Sequence, residues 1–459
     1  MRIKLSCPLE LKEIVGAVSA LPFNNLDKTV SYISTDTREL KKGDLFFALK
    51  GNNFNGEDYV EEALSLGAIP VSTVRNNNSI IVNDTKEALL DLAEYYKSKL
   101  PTLRFTVAIT GSVGKTTTKE FLKYILSTKY RVHATHENQN NDIGVPITVL
   151  SAPKNCEVLI TELGMNSLGE IERLSRCVKP DYAIITNIGT SHIGRLGSRR
   201  LIAKAKSEIV IGMSNGSVFC EWEEPLLKEI PLRETVSVNN HLADYFLFEF
   251  REYLTHSSFD FYSKEAHLNN LTLNIGGKHQ LKCLAYAIAV GLKLGLSEVE
   301  IKRGVEAIPK NAARHRLIEL NDFYIFDDSY NASIESVKAD LEYLSINKTQ
   351  PKSMLLGDIL ELGTKTEEIH TEIGRMAVSF KLNRLYLFGI YTEYVKRGAI
   401  EAGMDERKIF INLDLLSPEI TAEQIRINHE KNEIILFKAS HNVRLSRVID
   451  LLKGDKDID

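Results

Sequence analysis

The sequence predicts an α/β protein of three domains, and three observations support this prediction. The chain has 459 residues, more than one hydrophobic core usually serves, so two or three domains are expected. Hydrophobic residues make up 43% and charged residues 26%, as in ordinary globular proteins. Short apolar runs alternate with helical patterns, and this alternation changes character twice. We therefore predict domains at 1–100, 101–310 and 311–459.

The first predicted domain is a small α/β unit. DLFFAL at 44–49 and IPVSTV at 69–74 are short apolar runs typical of buried strands. Between them, YVEEALSLGA at 59–68 has the spacing of a helix. Strands that alternate with helices favour a layered fold.

The second predicted domain begins as strand, glycine-containing turn and helix. FTVAIT at 105–110 is the strand, and in EFLKYILS at 120–127 the apolar residues share one helix face. EVLITELG at 157–164 and YAIITNIG at 182–189 are further apolar runs that resemble buried strands. Such runs favour a parallel sheet covered by helices on both faces.

The third predicted domain is Rossmann-like. Four apolar strands end in polar or glycine-rich turns, and most of them lead into helical patterns. These strands are FYIFDD at 323–328, SMLLGD at 353–358, RLYLFG at 384–389 and EIILFKAS at 433–440.

Composition argues against several classes of function. A formal net charge of -4 gives no electrostatic reason to expect nucleic acid as a partner. No segment has the roughly 18 uninterrupted apolar residues of a membrane span, and the N-terminus carries Glu10 and Glu13, which argue against a signal peptide. The five cysteines are scattered without C-x-x-C spacing, which favours a reducing compartment. We expect a cytoplasmic monomer that acts on small molecules.

The stretch AITGSVGKTTTKE at 108–120 has the features of a phosphate-binding loop. Its backbone N–H groups would surround a phosphate, and the following helix would point its N-terminus at it. Lys115 would hold the β and γ phosphates of ATP, and the hydroxyl of Thr116 would bind Mg²⁺. The alternative is a simple glycine-containing turn with a solvated lysine. The other loop residues expected to bind the nucleotide are Thr110, Gly111, Ser112, Gly114 and Thr117.

Polar residues at strand ends are the next candidates, because ligands of α/β sheets gather at the carboxyl ends of strands. Glu162 closes one strand and could take Mg²⁺ opposite Thr116. His192 follows another strand in the segment TNIGTSHIG. Taken alone, Glu162 could be a simple strand-end acid and His192 a solvated loop histidine. Composition alone would make Lys206, in LIAKAKSEIV, a solvated lysine.

The loop lacks the first glycine of the usual pattern, since Ile109 stands there, and its form T-G-x-x-G-K-T resembles the ATP loop of the Mur ligase and folylpolyglutamate synthase superfamily. The resemblance extends over nearly the whole chain. DDSYNAS at 327–333 and GDILELG at 357–363, with His370, are similar to signatures of MurF-type ligases. Other matching residues are Asp36, Thr37 and Arg38 in TDTR, which would lie near the UDP group, and Asn140, Asn141, Ile143, Gly144 and Pro146 in the Asn-Asn-x-Ile-Gly-x-Pro segment.

The resemblance implies an ATP-dependent amide ligase of peptidoglycan precursor synthesis. Such an enzyme joins D-alanyl-D-alanine to UDP-MurNAc-tripeptide through an acyl phosphate, with Mg²⁺ as cofactor. It further implies that Lys206 is carbamylated and, with Thr116, Glu162 and His192, supports two magnesium ions. Lys115, His192 and Lys206 would then be the catalytic residues, with Arg316, Asp328 and Asn331 contacting the nucleotide from the third domain.

Some positions depart from the family pattern. Gln280 and Cys283 stand where the family usually has asparagine, and Glu57 stands where a histidine is common. The usual Lys-Gly-Ser-Arg near the C-terminus is Lys438-Ala-Ser-His441 here. These departures keep two alternatives open: a related ligase that joins a different acid and amine, or a nucleotide-binding protein without activity.

Overall fold

The computed structural model describes residues 1–21, 23, 26–51, 54–312 and 316–454. These residues form three sheets with helices packed on them, which confirms the α/β prediction. Each sheet lies within one of the three predicted ranges. Residues 52 and 53, which follow the TDTR segment in the first predicted domain, are outside the described residues.

The first sheet has five strands in the order β1-β2-β3-β4-β5. β1 pairs with β2 in antiparallel fashion, and the other pairs are parallel. Helix α3 begins after Asp84, whose side chain accepts hydrogen bonds from the N–H groups of residues 86 and 87. The elements are β1 (Arg2–Glu10), α1 (Leu11–Ala17), β2 (Thr29–Ser34), β3 (Leu45–Phe47), α2 (Val60–Ser65), β4 (Ile69–Ser72), β5 (Ile80–Ile81) and α3 (Thr85–Ser98).

The central sheet has nine strands in the order β14-β13-β12-β11-β10-β9-β6-β8-β7. Its first elements are β6 (Phe105–Thr110), α4 (Lys115–Leu126), β7 (Val132–Ala134), α5 (Gly144–Leu150), β8 (Val158–Glu162), α6 (Glu170–Val178), β9 (Tyr182–Ile185), α7 (Ile193–Leu196) and α8 (Arg199–Ser207). They are followed by β10 (Ser217–Glu221), β11 (Arg233–Ser237), β12 (Tyr245–Glu252), β13 (Ser257–Ser263), β14 (His267–Leu273), α9 (Lys278–Lys293) and α10 (Glu298–Glu306).

The parallel sheet predicted from the strands at 105–189 is confirmed, and later strands add an antiparallel part that was not predicted. Strands β6 to β12 pair in parallel, whereas β12, β13 and β14 pair in antiparallel fashion. The antiparallel extension lies at the end of the sheet that is farther from β6 and β8. Helix α9 packs on α4, and its buried apolar residues fill the space between that helix and the sheet.

The third sheet has the order β15-β16-β20-β17-β18-β19, with all pairs parallel except β15 with β16. This is the Rossmann-like arrangement that the strand pattern predicts. The elements are β15 (Arg316–Glu319), β16 (Phe323–Asp327), α11 (Ile334–Leu344), β17 (Lys352–Gly357), α12 (Thr366–Ser379), β18 (Arg384–Phe388), α13 (Thr392–Glu401), β19 (Ile409–Asn412), α14 (Pro418–Asn428), β20 (Glu433–Lys438) and α15 (Ser446–Lys453).

The five cysteines are all free thiols in this structure. Four of them are buried, and Cys7 on β1 is partly exposed. Among the described helices, none combines the length and the apolar composition needed to cross a bilayer.

Candidate active site

A cavity of about 500 Å³ lies where the carboxyl ends of the central strands face the third domain. The central domain and the third domain both contribute to its wall. Of the predicted site residues, the cavity is lined by Ser112, Gly114, Lys115, Thr116, Thr117, Asn140, Asn141, Glu162, His192, Lys206, Asp328 and Asn331. Gln280 and Cys283, the two departures on α9, also line it.

The loop between β6 and α4 has a backbone that only glycine allows at Gly111. The φ angle there is +148°, and a Cβ would lie 1.8 Å from Oγ1 of Thr186. The loop is further fixed by Asn187, whose Oδ1 accepts hydrogen bonds from the N–H groups of Ser112 at 3.1 Å and Val113 at 3.0 Å. These contacts fix the backbone of the loop that lines one side of the cavity.

Lys115 is the first residue of α4, so its amine lies beside the N-terminus of that helix. Its Nζ donates a hydrogen bond to the carbonyl oxygen of Gly111 at 2.8 Å. The first N–H groups of a helix have no acceptor within the helix, and the helix dipole adds positive potential there. A cation and the N-terminal N–H groups of a helix together make this end of the cavity suitable for phosphate.

Glu162 ends β8 almost fully buried beside the loop. Its Oε2 accepts a hydrogen bond from Oγ1 of Thr116 at 2.9 Å, and its Oε1 accepts one from Nδ2 of Asn140 at 2.9 Å. Within the described ranges there is no group of three or more His, Cys, Asp or Glu side chains that could hold a metal ion. One carboxylate and one hydroxyl fit Mg²⁺ nevertheless, because this ion keeps several waters and takes other ligands from substrate phosphates.

Lys206 on α8 is buried with only 2% of its surface exposed. No described residue gives its amine a hydrogen bond or an ion pair. Burial lowers the pKa of Lys206 well below its usual value, and the positive charge of Lys115 lowers it further. An amine in these surroundings gives up its proton more readily than a solvated lysine, and the deprotonated form is the nucleophilic one.

His192 follows β9 with a left-handed backbone, φ +66°. Its Nδ1 lies 2.8 Å from Oε2 of Glu361 in the third domain, in contact but without a well-aligned hydrogen bond. Burial lowers the pKa of His192; the carboxylate of Glu361 opposes this effect, and the charges of Lys206 and Lys115 add to it. The net direction is downward, which favours a neutral imidazole.

A buried cluster of charges supports the third-domain wall. Nζ of Lys438, at the end of β20, forms an ion pair with Asp328 and lies 2.9 Å from Oδ2 of Asp340. Burial by itself lowers the pKa of Lys438, but the two aspartates outweigh burial and the pKa is raised. Lys438 therefore holds Asp328 in a fixed position at the cavity.

Other predicted residues lie away from the cavity lining. Thr110 and Gly111 are buried beneath the loop, and Arg316 is exposed on β15 opposite Asp327. Asp36, Thr37 and Arg38 lie in the first domain after β2, and the guanidinium of Arg38 holds the pKa of Asp36 well below its usual range.

Glu57, a departure from the family pattern, has a structural role in the first domain. Its carboxylate accepts hydrogen bonds from the N–H group of Thr73 at 2.8 Å, from Oγ1 of Thr73 at 2.9 Å and from Oγ of Ser72 at 2.5 Å. The turn after β4 is thereby fixed to the segment before α2.

One buried cation was missed by the sequence analysis. Lys119 on α4 has no exposed surface, and its Nζ donates hydrogen bonds to the carbonyl oxygens of Thr135 at 2.7 Å and Glu137 at 3.3 Å. This contact fixes the segment that leads to Asn140. The sequence did carry a signal, because Lys119 stands three residues before Leu122 and so shares the buried helix face.

Comparisons with known proteins agree with this geometry. Residues 109–291 match a family model described as the Mur ligase middle domain, and residues 29–104 match one described as the Mur ligase family, catalytic domain. A UDP-N-acetylmuramoyl-tripeptide--D-alanyl-D-alanine ligase of Bacillus subtilis is 35% identical over 97% of this chain and 98% of its own. The Synechocystis protein of the same name is 32% identical over 94% and 93%.

Solved structures give the same result. The crystal structure of MurF from Acinetobacter baumannii superposes with a TM-score of 0.88 at 27% identity, covering 98% of this chain and all of the other. The structure of MurF from Thermotoga maritima in complex with ADP gives a TM-score of 0.80 at 28% identity, covering 92% and 97%.

Proposed function

The chain belongs to the Mur ligase family, and from this membership and the site geometry we propose that it joins D-alanyl-D-alanine to UDP-MurNAc-tripeptide. It is an ATP-dependent ligase of MurF type. The observation that carries the proposal is the combination of the phosphate loop, Glu162, His192 and Lys206 at one cavity, in a chain 35% identical to a ligase of that name.

The chemistry requires ATP to transfer its γ-phosphoryl group to the terminal carboxylate of the tripeptide. The resulting acyl phosphate is then attacked by the amine of the dipeptide, an amide forms, and phosphate leaves. Negative charge develops on the phosphoryl oxygens and then on the carbonyl oxygen, so fixed cations and N–H donors supply most of the catalysis. Lys115 and the N-terminus of α4 would supply them.

Mg²⁺, when bound, would neutralise phosphate charge and orient the phosphates. Thr116 and Glu162 would hold it on one side of the cavity, and His192 with Lys206 would support a second ion on the other. Asn140 keeps the Glu162 carboxylate oriented toward the cavity by its hydrogen bond.

An ammonium at position 206 would repel a metal ion, so this role requires a modification. The neutral amine of Lys206 would attack the carbon of CO₂, form an N–C bond and release a proton, which leaves an anionic carbamate. Its environment supports this step, because the amine is buried and unpaired among the described residues, and burial lowers its pKa.

The remaining substrate groups would lie on either side of the phosphate loop. We propose that the first domain binds the UDP group near Asp36, Thr37 and Arg38, and that Asp328 and Asn331 contact the nucleotide from the third domain.

A second candidate is a ligase of the same chemistry that uses another amine. His441 stands where the family has arginine, and its ring lies 5.0 Å from the ring of Tyr330 at the cavity. An imidazole beside a phenol ring lacks the two parallel N–H donors with which a guanidinium would bind a dipeptide carboxylate.

One experiment tests both candidates. Purified protein is supplied with Mg-ATP, UDP-MurNAc-tripeptide and D-alanyl-D-alanine, each omitted in turn, while phosphate release and product mass are measured. Phosphate release that requires all three components, with the pentapeptide product, is the expected result. Turnover only with other amines would support the second candidate, and no turnover by folded, ATP-binding protein would contradict both.

A further inference from the structure

The loop from Asp358 to Gly363, after β17, is held rigidly within the third domain. The carboxylate of Asp358 accepts hydrogen bonds from the N–H groups of residues 390 and 391, at 3.2 Å and 2.9 Å. Nε2 of the buried His370 accepts one from the N–H of Ile359 at 3.1 Å, and Oγ of Ser440 accepts one from the N–H of Leu360 at 2.8 Å. Whatever this loop presents therefore has a fixed position relative to the third sheet.

The loop presents Glu361 to the central domain. Its carbonyl oxygen accepts a hydrogen bond from the N–H of Gly194 at 2.9 Å, and its Oε1 accepts one from a guanidinium nitrogen of Arg195 at 2.9 Å. Its other carboxylate oxygen lies 2.8 Å from Nδ1 of His192. The approach is so close that a Cβ on Gly194 would lie 2.5 Å from backbone atoms of Glu361 and Gly363.

The contact with His192 has a chemical consequence. A neutral imidazole carries one N–H, and the nitrogen that bears it is set by the partner of the ring. A carboxylate beside Nδ1 favours the proton on that atom, which leaves the lone pair of Nε2 available. Hydrogen bonds of active sites are often poorly aligned before substrates bind, so the present tilt of the ring is compatible with this role.

We propose that Glu361 is a positioning residue that fixes the tautomer and orientation of His192, and that it does so only when the third domain is docked. The proposal rests on the proposed function for its kinetic part. In this proposal the third domain contributes Glu361 to the active site, although Glu361 lies outside the lining of the nucleotide cavity. His192 then has its active tautomer and orientation only while that domain is docked.

If Glu361 only stabilised the fold, its replacement would lower the unfolding midpoint and leave His192 unchanged. Its pairs with Arg195 and His192 are partly exposed, and such pairs add little to stability. Replacement of Glu361 should therefore leave the unfolding midpoint unchanged while it alters His192. The matched control is Glu367, another partly exposed acid of the third domain, which pairs with Arg397 away from the cavity.

The first readout needs no turnover. In protein labelled with ¹⁵N-histidine, the His192 signal is assigned by its loss in His192→Gln. We expect wild type and Glu367→Ala to show the proton on Nδ1, and Glu361→Ala to show a mixture of tautomers or the proton on Nε2. An unchanged His192 signal in Glu361→Ala would overturn the proposal even if the protein proves to catalyse another reaction.

The second readout is kinetic. Glu361→Ala should lower kcat about tenfold or more, the usual effect of losing the partner of a catalytic histidine, with little change in the KM for ATP. Glu361→Gln, which keeps an acceptor oxygen, should retain more activity than the alanine variant. Equal rates for Glu361→Ala, Glu367→Ala and wild type would contradict the proposal.

A third variant separates docking from the carboxylate itself. Gly194→Ala leaves Glu361 and His192 unchanged, but its Cβ would collide with the backbone of the third-domain loop. We expect it to shift the His192 signal as Glu361→Ala does. A wild-type signal and wild-type kcat in Gly194→Ala would show that His192 does not depend on docking.

Discussion

Replacement of Gly111 by alanine should abolish nucleotide binding and lower the free energy of unfolding of the central domain. The added Cβ would lie 1.8 Å from Oγ1 of Thr186 and 3.1 Å from its backbone nitrogen, and backbone atoms cannot give way as a flexible side chain can. The φ angle of +148° is one that residues with a side chain rarely adopt.

The expected magnitude follows from three effects. The strained backbone costs about 1–3 kcal/mol and the steric conflict about 1–3 kcal/mol. Displacement of Thr186 also breaks its 2.6 Å hydrogen bond to the carbonyl of Val113, which adds about 1 kcal/mol. Together these give a loss of about 3–7 kcal/mol.

The assay is urea unfolding followed by the fluorescence of Trp222, which lies in the central domain just after β10, together with calorimetric titration of a non-hydrolysable ATP analogue. Gly16→Ala is the matched control, because Gly16 lies in α1 and no heavy atom lies within 4 Å of an added Cβ. This variant should be more stable than wild type by about 0.5–1 kcal/mol. A Gly111→Ala protein with a wild-type midpoint and a Kd within about twofold of wild type would refute the steric reasoning.

Three further predictions concern buried titratable groups. Removal of CO₂ should slow turnover, and bicarbonate should restore it, because burial lowers the pKa of the Lys206 amine and so favours the form that reacts with CO₂. Equal ADP production in both buffers would contradict a carbamate. Burial raises the pKa of Asp358 from 3.8 to about 6, so the folded protein keeps a proton that the unfolded chain loses. Stability should therefore fall by up to about 3 kcal/mol as pH rises from about 4 to 6, and Asp358→Asn should lose this dependence in urea titrations. Lys119→Met removes the donor to the buried carbonyls of Thr135 and Glu137, which should lower the free energy of unfolding by about 1–3 kcal/mol. It should also raise the KM for the UDP substrate and leave the KM for ATP unchanged. Proportional changes in both KM values would argue against a role specific to that loop.

The sequence predicted the helices and strands next to the phosphate-binding loop, because the spacing of apolar residues within a single element shows which of its faces is buried. Phe121, Leu122 and Ile125 share one face of α4 in the sequence and are fully buried in the structure. The end of β8 likewise follows from an apolar run closed by an acid, and Glu162 is there.

The antiparallel extension of the central sheet was not predicted. The turn between β12 and β13 is Tyr-Leu-Thr-His at 253–256, which contains none of the glycine, asparagine or proline residues that mark a hairpin. Its pairing depends on aromatic side chains that meet only in the sheet, such as Phe246 and Tyr262, whose rings stack at 5.3 Å.

The part of the site that depends on domain docking could not be derived from local pattern either. Glu361 is an ordinary polar loop residue in the sequence, and its contact with His192 joins positions 169 residues apart. The cluster of Lys438 with Asp328 and Asp340 also forms between residues distant in sequence. Resemblance to a family can indicate such residues, but only packing explains what they do.

The positions of the cysteine thiols and of the tryptophan indole allow a distance within the chain to be measured by fluorescence. Cys7 is the one cysteine that is not buried, and it lies in the first sheet, whereas Trp222 is the single tryptophan and lies beside the central sheet. A thiol-reactive acceptor dye would attach at position 7, and resonance energy transfer from the indole would then report the distance between these two sheets. Movement of the first domain during substrate binding can thus be followed in the natural sequence, without introducing any residue.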